Sequence, residues 1–236
     1  MTGNTNGWMC VKNDGNKGLY QNELSDIEFS IVTNLKKCGE TIKNPIAVKK
    51  GIKGKDCCFH SNVYCNLGKV SMRTIVVKNI VAKIACGKGF RVYANKLCKE
   101  VVKELKKQSG INANKYWPNK EWLYDMCWCK ENENNAYFLE KLVLALECEW
   151  SGKRKYDSDK YGNMKYDFQK LLVVNADTHV MIFVEHLDEK VENISEYITK
   201  AIENCEHTRK GSRFLCIAYA KNFDSFKYRL FVKNNE

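Results

Sequence analysis

Hydrophobic positions recur every three to four residues in several stretches, as at Leu24, Ile27, Ile31 and Leu35, and this spacing predicts helices. Elsewhere apolar residues alternate or run together between polar turns, which is typical of strands. The helices predicted in this way cover residues 22–37, 72–86, 96–107, 166–174 and 189–205. The predicted strands cover residues 90–94, 121–128, 142–150, 179–186, 214–220 and 226–232.

Helices and strands alternate from residue 72 onward, which predicts an α/β fold with a mixed central sheet flanked by helices. A polar turn at residues 130–135 predicts that the strands on either side of it form an antiparallel hairpin. The first 20 residues are polar and glycine-rich, and we expect them to lack regular structure. We therefore predict an N-terminal extension or small helical subdomain over residues 1–70 and an α/β core domain over residues 71–236.

Positive charge is concentrated in the first half of the chain. The net charge is +11, and residues 1–120 carry 22 Lys and Arg against 8 Asp and Glu, whereas residues 121–236 carry 17 against 20. Such an excess attracts a polyanion, so we expect a nucleic-acid partner, although lysines that only keep the protein soluble remain an alternative. The residues expected to hold the phosphate backbone are Lys78, Lys83, Lys88, Arg91, Lys96, Lys99 and Lys103.

Two glutamates, Glu147 and Glu149, lie two positions apart at the end of an otherwise apolar strand. Side chains alternate along a strand, so these two share one face with Val143 and Ala145. Neighbouring carboxylates that are partly buried repel each other, and a divalent cation would relieve that cost. Asp125, on the preceding predicted strand, is expected to reach the same edge of the sheet. We therefore predict a site for Mg²⁺ or Mn²⁺.

This pattern resembles the PD-(D/E)XK nuclease superfamily, which has the restriction-endonuclease-like fold. The resemblance covers about residues 72–186, where the predicted order is helix, strands, helix and strand. It makes Asp125 the first acid and Glu147-Cys148-Glu149 an E-x-E variant of the (D/E)-x-K triplet. Glu149 therefore stands where most members have lysine, and Lys170 on the next predicted helix matches members in which the lysine has moved.

The resemblance implies an Mg²⁺-dependent endonuclease that hydrolyses phosphodiester bonds, with DNA the expected substrate and RNA the alternative, such as a restriction or defence enzyme. Asp125, Glu147, Glu149 and the Cys148 carbonyl would bind the metal, and Lys170 would position the nucleophile or offset phosphate charge. The alternative is an inactive nucleic-acid-binding protein on the same fold, and a third class is a protein–protein regulator. A homodimer is compatible with each.

Each candidate residue also has a purely structural interpretation. The two glutamates could cap a solvent-facing strand end, Asp125 could be a turn residue or ion-pair partner, and Lys170 could be a solvated helix lysine. The tryptophans around the predicted site could pack in the core or stack on bases; they are Trp117, Trp122, Trp128 and Trp150.

The remaining chemistry in the sequence concerns cysteines and location. Cys57, Cys58, His60 and Cys65 could bind zinc, but they lack the paired Cys-x2-Cys spacing of strong zinc sites. The first residues contain no apolar signal core and no apolar run is long enough to span a bilayer, so we expect a cytoplasmic protein with no membrane partner. In that compartment the 12 cysteines are expected to be reduced thiols.

Overall fold

The computed structural model describes residues 8–12, 24–38, 69–108, 118, 120, 122–132, 138–150, 159–185, 191–220 and 225–234. Its helices are α1 (Asp26–Lys37), α2 (Lys69–Cys86), α3 (Lys99–Gln108), α4 (Gly162–Val173) and α5 (Val191–Asn204). Its strands are β1 (Met9–Lys12), β2 (Arg91–Tyr93), β3 (Met126–Glu131), β4 (Leu139–Glu149), β5 (Ala176–Val184), β6 (Arg213–Tyr219) and β7 (Ser225–Val232).

The strands form one mixed sheet in the order β1-β7-β6-β5-β4-β3-β2. Strands β4, β5 and β6 run parallel to one another, and the other neighbouring pairs are antiparallel. The predicted α/β class, with a mixed sheet flanked by helices, is confirmed, as is the antiparallel hairpin of β3 and β4. Because the carboxyl ends of parallel strands meet at one edge, Glu149 of β4 and Val184 of β5 end at the same side of the sheet.

Two apolar cores lie on the two faces of the sheet, so the fold has three layers. One face packs against α1, α2 and α3, through residues such as Ile31, Val81 and Val101. The other face packs against α4 and α5, through residues such as Phe168 and Ile198. Each helix therefore buries the apolar stripe that its sequence spacing predicts.

The N-terminal segment belongs to this fold wherever it is described. Strand β1 pairs with β7, so the expectation that the first 20 residues lack regular structure is wrong for Met9–Lys12. Helix α1 begins with a capping box between Ser25 and Glu28, and its buried face joins the core. Short edge strands such as β1 are hard to predict, because their order depends on a partner that is distant in sequence.

One strand face differs from the predicted alternation. Val143 packs with Leu144 on the α2 side of the sheet rather than with Ala145 on the α4 side. The pairing explains this difference, since Trp128 faces Leu144 while the next residue, Cys129, faces Leu142. The irregularity leaves one extra residue in β4, as in a β-bulge, and this residue changes face.

Candidate active site at the end of the β3–β4 hairpin

Asp125 precedes β3 and reaches across to the end of β4. Its Oδ2 atom accepts a hydrogen bond of 3.0 Å from the backbone amide of Cys148. Met126 and Leu146 pair in register next to this contact, so the hairpin fixes where Asp125 lies relative to Glu147. The hairpin therefore brings Asp125 close to Glu147, but Asp125 lies in the bend before β3 and not within the strand predicted over residues 121–128.

Glu147 is buried, with 3% of its surface exposed, and it faces helix α4. The Lys170 ammonium lies 2.5 Å from Glu147 Oε1 and 2.9 Å from Asp167 Oδ1. Asp167 and Lys170 are three residues apart on α4, which puts both on one helix face. Phe168 and Leu171, buried beside them, anchor that helix to the sheet. A single ammonium thus serves two carboxylates.

Lys78 approaches the same site from the opposite layer, which corrects a prediction. The sequence suggested a surface lysine for phosphate binding, but Lys78 is only 2% exposed. Its ammonium lies 3.7 Å from Asp125 Oδ1 and donates a hydrogen bond to Asn95 Oδ1. A buried ammonium needs such partners, because leaving it unpaired would be very costly. Lys78 therefore holds Asp125 rather than a phosphate at the surface.

Burial sets the proton affinity of the two acids. Burial raises the pKa of Glu147 to about 8; Lys170 opposes the rise, and the charges of Asp125 and Asp167 add to it. Burial also raises the pKa of Asp125, against the opposing effects of Lys78 and the Cys148 amide. Burial lowers the pKa of Lys170, but its contacts with Glu147 and Asp167 outweigh this and raise it above its ordinary value. Three acids thus share one small volume.

Asp167 is a participant that the sequence analysis did not assign. It is one of the charges that raise the pKa values of both Asp125 and Glu147. Its position three residues before Lys170 was a visible signal, since such pairs are neighbours on a helix. The burial of Lys78 also had a signal, because that lysine lies within the apolar stretch of residues 75–81.

The donor chemistry fits a hard divalent cation, because carboxylate oxygens are the ligands that Mg²⁺ and Mn²⁺ prefer. The raised pKa of Glu147 also fits, since a second positive charge would favour its ionised form. Among the described residues, however, no group of three or more His, Cys, Asp or Glu side chains is already arranged around a common point for a metal. A cation would have to compete with the Lys170 ammonium for these oxygens.

The last two predicted ligands lie on β4 beside the site. Glu149 is half-buried and pairs in register with Phe183 of β5. The amide of Cys148 is used by Asp125, while its thiol is buried on the other face of the sheet. The roles of Glu149 and of the Cys148 carbonyl as metal ligands stay predictions.

The residues predicted to bind the phosphate backbone divide into two groups. Lys88, Lys96, Lys99 and Lys103 are exposed, and Lys83 is half-buried. Arg91 has 13% of its side chain exposed and pairs with Glu131 at 2.6 Å. The prediction that all seven residues form the phosphate-binding surface is wrong for Lys78, which is buried, and for the other six it stays a prediction.

The tryptophans divide in the same way. Trp128 is fully buried, and Trp150 is 5% exposed and donates a hydrogen bond to Thr74. Trp122 is 48% exposed and stacks on Tyr93. Trp117 and the candidate zinc ligands Cys57, Cys58, His60 and Cys65 lie outside the described residues. The eight cysteines whose side chains are described are not joined in disulfides.

Comparisons with protein family models, with curated proteins and with solved structures found no match. In the described part of the chain, no helix is both long enough and apolar enough to cross a membrane.

Proposed function

We propose that this protein is a metal-dependent nuclease that hydrolyses phosphodiester bonds in DNA. One observation carries the proposal: Asp125 and Glu147 converge from neighbouring strands, with an ammonium 2.5 Å from Glu147. Both carboxyls are largely buried and have raised pKa values, a combination that is concentrated at functional sites. The site also lies at the carboxyl ends of parallel strands, where ligands bind in open α/β sheets.

The order of elements supports the PD-(D/E)XK resemblance. Helix α2 is followed by β2, β3 and β4, then by α4 and β5, which is the order that the resemblance implies. Helix α3 is an insertion between β2 and β3. Asp125 at the start of β3 and Glu147 near the end of β4 occupy the two acidic positions of the motif. Lys170 on α4 supplies the lysine that the triplet lacks.

The proposed mechanism assigns each residue a physical task. Asp125 and Glu147, with Asp167 beside them, would hold a divalent cation, which supplies an acidified water and offsets charge on the phosphate. Glu147 must first lose its proton, so the site favours the loaded state as the pH approaches about 8. Lys170 keeps its proton, and its ammonium, which contacts Glu147 and Asp167, would offset negative charge on the scissile phosphate. Lys78 holds Asp125 in place from the opposite layer.

A cleavage assay with matched variants tests this proposal. Supercoiled plasmid is incubated at pH 8 with Mg²⁺, Mn²⁺ or chelator, using wild type, Asp125→Asn, Glu147→Gln and Glu140→Gln. Glu140 is the control, because it lies on the same strand at an exposed position and pairs with Lys130. We expect cutting by wild type and Glu140→Gln with metal alone. Cutting that survives in chelator or in Glu147→Gln would overturn the proposal.

A second candidate is a nucleic-acid-binding protein that has lost catalysis on the same fold. Glu149 favours it, because this residue stands where the motif ordinarily has lysine. The two candidates differ in one readout, since the binding protein would show salt-sensitive association with DNA and no cutting with any metal.

A further inference from the structure

Trp122 is a large aromatic side chain that is held in place yet remains 48% exposed. Its ring lies parallel to that of Tyr93, with centroids 5.2 Å apart and planes 8° from parallel. In this geometry Tyr93 covers one face of the indole. An exposed aromatic ring with one face supported in this way can stack on a further ring.

The support for Trp122 is rigid. Tyr93 lies in β2, pairs in register with Cys127 of β3, and donates a hydrogen bond from its hydroxyl to Glu131. Pro118, four residues before Trp122, accepts a hydrogen bond of 3.1 Å from the amide of Ala94, which follows β2. Tyr93 is therefore held in the sheet before any ligand arrives, which reduces the entropy cost of ordering the ring stacked on it.

Trp122 is also close to the candidate active site. It precedes Asp125 by three residues, so their Cα atoms are at most about 11 Å apart. Asn95, two residues after Tyr93, also links this region to the site. It accepts a hydrogen bond from Lys78, and Lys78 forms an ion pair with Asp125. Lys96, next to Asn95, has a left-handed φ of 57°, which is uncommon for a non-glycine residue.

Exposed lysines lie near Trp122 and its partner Tyr93 in the sequence, and their charge indicates the kind of ligand. The loop and helix that follow β2 present exposed lysines to solvent, and these are Lys96, Lys99 and Lys103. Lys120, two residues before Trp122, is exposed as well. Aromatic rings set among lysines are the usual arrangement for single-stranded nucleic acid, in which bases stack while phosphates meet positive charge.

We propose that Trp122 is a stacking platform for an unpaired base next to the phosphodiester held at Asp125 and Glu147. The substrate class is then single-stranded nucleic acid, or a duplex that contains an unpaired base near the cut, such as the locally unpaired regions that supercoiling favours in a plasmid. A base within a regular duplex has both faces stacked on its neighbours and cannot lie flat on the indole. This inference rests on the proposed function for the position of the phosphate, but its binding step requires no catalysis.

The test measures affinity in chelator, where no cutting occurs. Fluorescence anisotropy compares a labelled single strand, a blunt duplex and a duplex with one unpaired base, for wild type, Trp122→Ala, Trp122→Phe and Phe138→Ala. Phe138 is the matched control, an aromatic residue that is 64% exposed at the far end of the hairpin. It immediately precedes β4 and lies nine residues from Glu147, about 30 Å in extended chain.

We expect Trp122→Ala to weaken binding of the single strand and of the duplex with an unpaired base by about 5- to 100-fold. Trp122→Phe should remain within about threefold of wild type, because phenylalanine also stacks. Neither the blunt duplex nor the Phe138→Ala variant should show a change. Removing one base from the oligonucleotide should have no further effect in Trp122→Ala, since the two changes delete the same contact.

Failure of this inference can be told from failure of the proposed function. If Trp122→Ala binds every oligonucleotide as wild type does, or weakens all of them equally, the stacking platform is wrong even when the plasmid is cut. If the single strand depends on Trp122 but no metal supports cutting, the platform stands and the nuclease proposal fails. Unchanged thermal unfolding of Trp122→Ala shows that the comparison is between folded proteins.

Discussion

Two buried glutamates in this protein have very different surroundings. Glu28 of α1 is fully buried and accepts hydrogen bonds at 2.9 Å and 2.7 Å from the Arg213 guanidinium and at 2.7 Å from the Ser25 amide. Glu147 of β4 is almost as deeply buried, yet the Lys170 ammonium beside it is shared with Asp167. Glu28 therefore accepts three hydrogen bonds that no other carboxylate shares in these contacts, whereas Glu147 shares the Lys170 ammonium with Asp167.

The difference separates a structural ion pair from a functional candidate. The fork of Arg213 matches the Glu28 carboxylate, and this contact raises the pKa of Arg213, so the pair joins α1 to β6 with little left unsatisfied. At Glu147, burial and two neighbouring acids raise the pKa of the carboxyl to about 8. Asp125 and Asp167 disfavour ionisation of Glu147, and the single ammonium of Lys170 does not fully offset them. A bound divalent cation would supply the missing positive charge and favour the ionised carboxylates.

The largest expected effect is on catalysis. Glu147→Gln removes the charge that would hold the cation and should lower the rate of plasmid cutting by about 1000-fold. Glu28→Gln should leave the rate per folded molecule unchanged, since Glu28 contacts Arg213 and Ser25 instead of the site. Single-turnover rates, corrected for the folded fraction, measure both. If the cutting rate falls by a similar factor in both variants, Glu147 has no special role in catalysis compared with Glu28.

The free energy of unfolding should depend more on Glu28 than on Glu147, the reverse of the effect on the cutting rate. Glu28→Gln leaves the Arg213 guanidinium without its charged partner and should lower the free energy of unfolding by about 3–5 kcal/mol. Urea unfolding at pH 7 measures this value for Glu28→Gln and Glu147→Gln side by side. A Glu147→Gln variant that is destabilised as much as Glu28→Gln would show that Glu147 also serves to hold the fold together.

The pH dependence of stability gives a third test. The pKa of Glu147 rises from an ordinary 4.5 to about 8 in the folded protein, so between these values the folded state binds a proton that the unfolded state lacks. Wild type therefore loses stability from this group as the pH rises through that window, whereas Glu147→Gln cannot. The variant should gain about 1–3 kcal/mol on wild type by pH 8. A difference that is constant from pH 5 to pH 8 would argue against the raised pKa.

Lys170 should tune the proton affinity of the site. Lys170→Met removes the ammonium that opposes the rise in the pKa of Glu147, so that pKa should move above about 8. We expect the pH at which Mn²⁺ binding reaches half its maximum to move upward with it, as measured by calorimetry across a pH series. Lys165→Met is the control, since Lys165 lies on the same helix and pairs with Asp159. If the pH of half-maximal Mn²⁺ binding is unchanged in Lys170→Met, Lys170 does not influence the pKa of Glu147.

The smallest expected effect concerns salt. Lys99→Ala and Lys103→Ala, both at exposed positions of α3, should each reduce the slope of log affinity against log salt for duplex DNA by about 0.9. Lys78→Met should leave the slope unchanged, because that ammonium is buried beside Asp125. If the slope falls with Lys78→Met and stays the same with Lys99→Ala, then Lys78 contacts phosphate and Lys99 does not, which contradicts the prediction.

Much of this architecture follows from local patterns. The apolar run of β4 and the helical spacing of α4 place Glu147 and Lys170 on elements that hydrophobic periodicity predicts. The polar turn predicts the hairpin, and the hairpin brings Asp125 to the end of β4. The acids could therefore be proposed as neighbours without knowing any contact between distant parts of the chain.

The features that escaped prediction depend on such distant contacts. Val143 changes face because of an irregular pairing with β3, which no period-two pattern contains. Lys78 resembles a surface lysine by type, and its burial depends on Asp125 and Asn95 lying within reach. Asp167 joins the cluster only once α4 packs against the sheet. Each is set by tertiary packing, which overrides what a residue favours alone.

Electron paramagnetic resonance of Mn²⁺ at pH 8 tests the central claim most directly, since it counts the bound ion without requiring catalysis or DNA. Wild type and Glu140→Gln should bind Mn²⁺ saturably at one site, and Mg²⁺ should displace it. Asp125→Asn and Glu147→Gln should abolish that binding while remaining folded. Saturable binding that is equal in wild type and Glu147→Gln, or no saturable binding in wild type, would contradict the account.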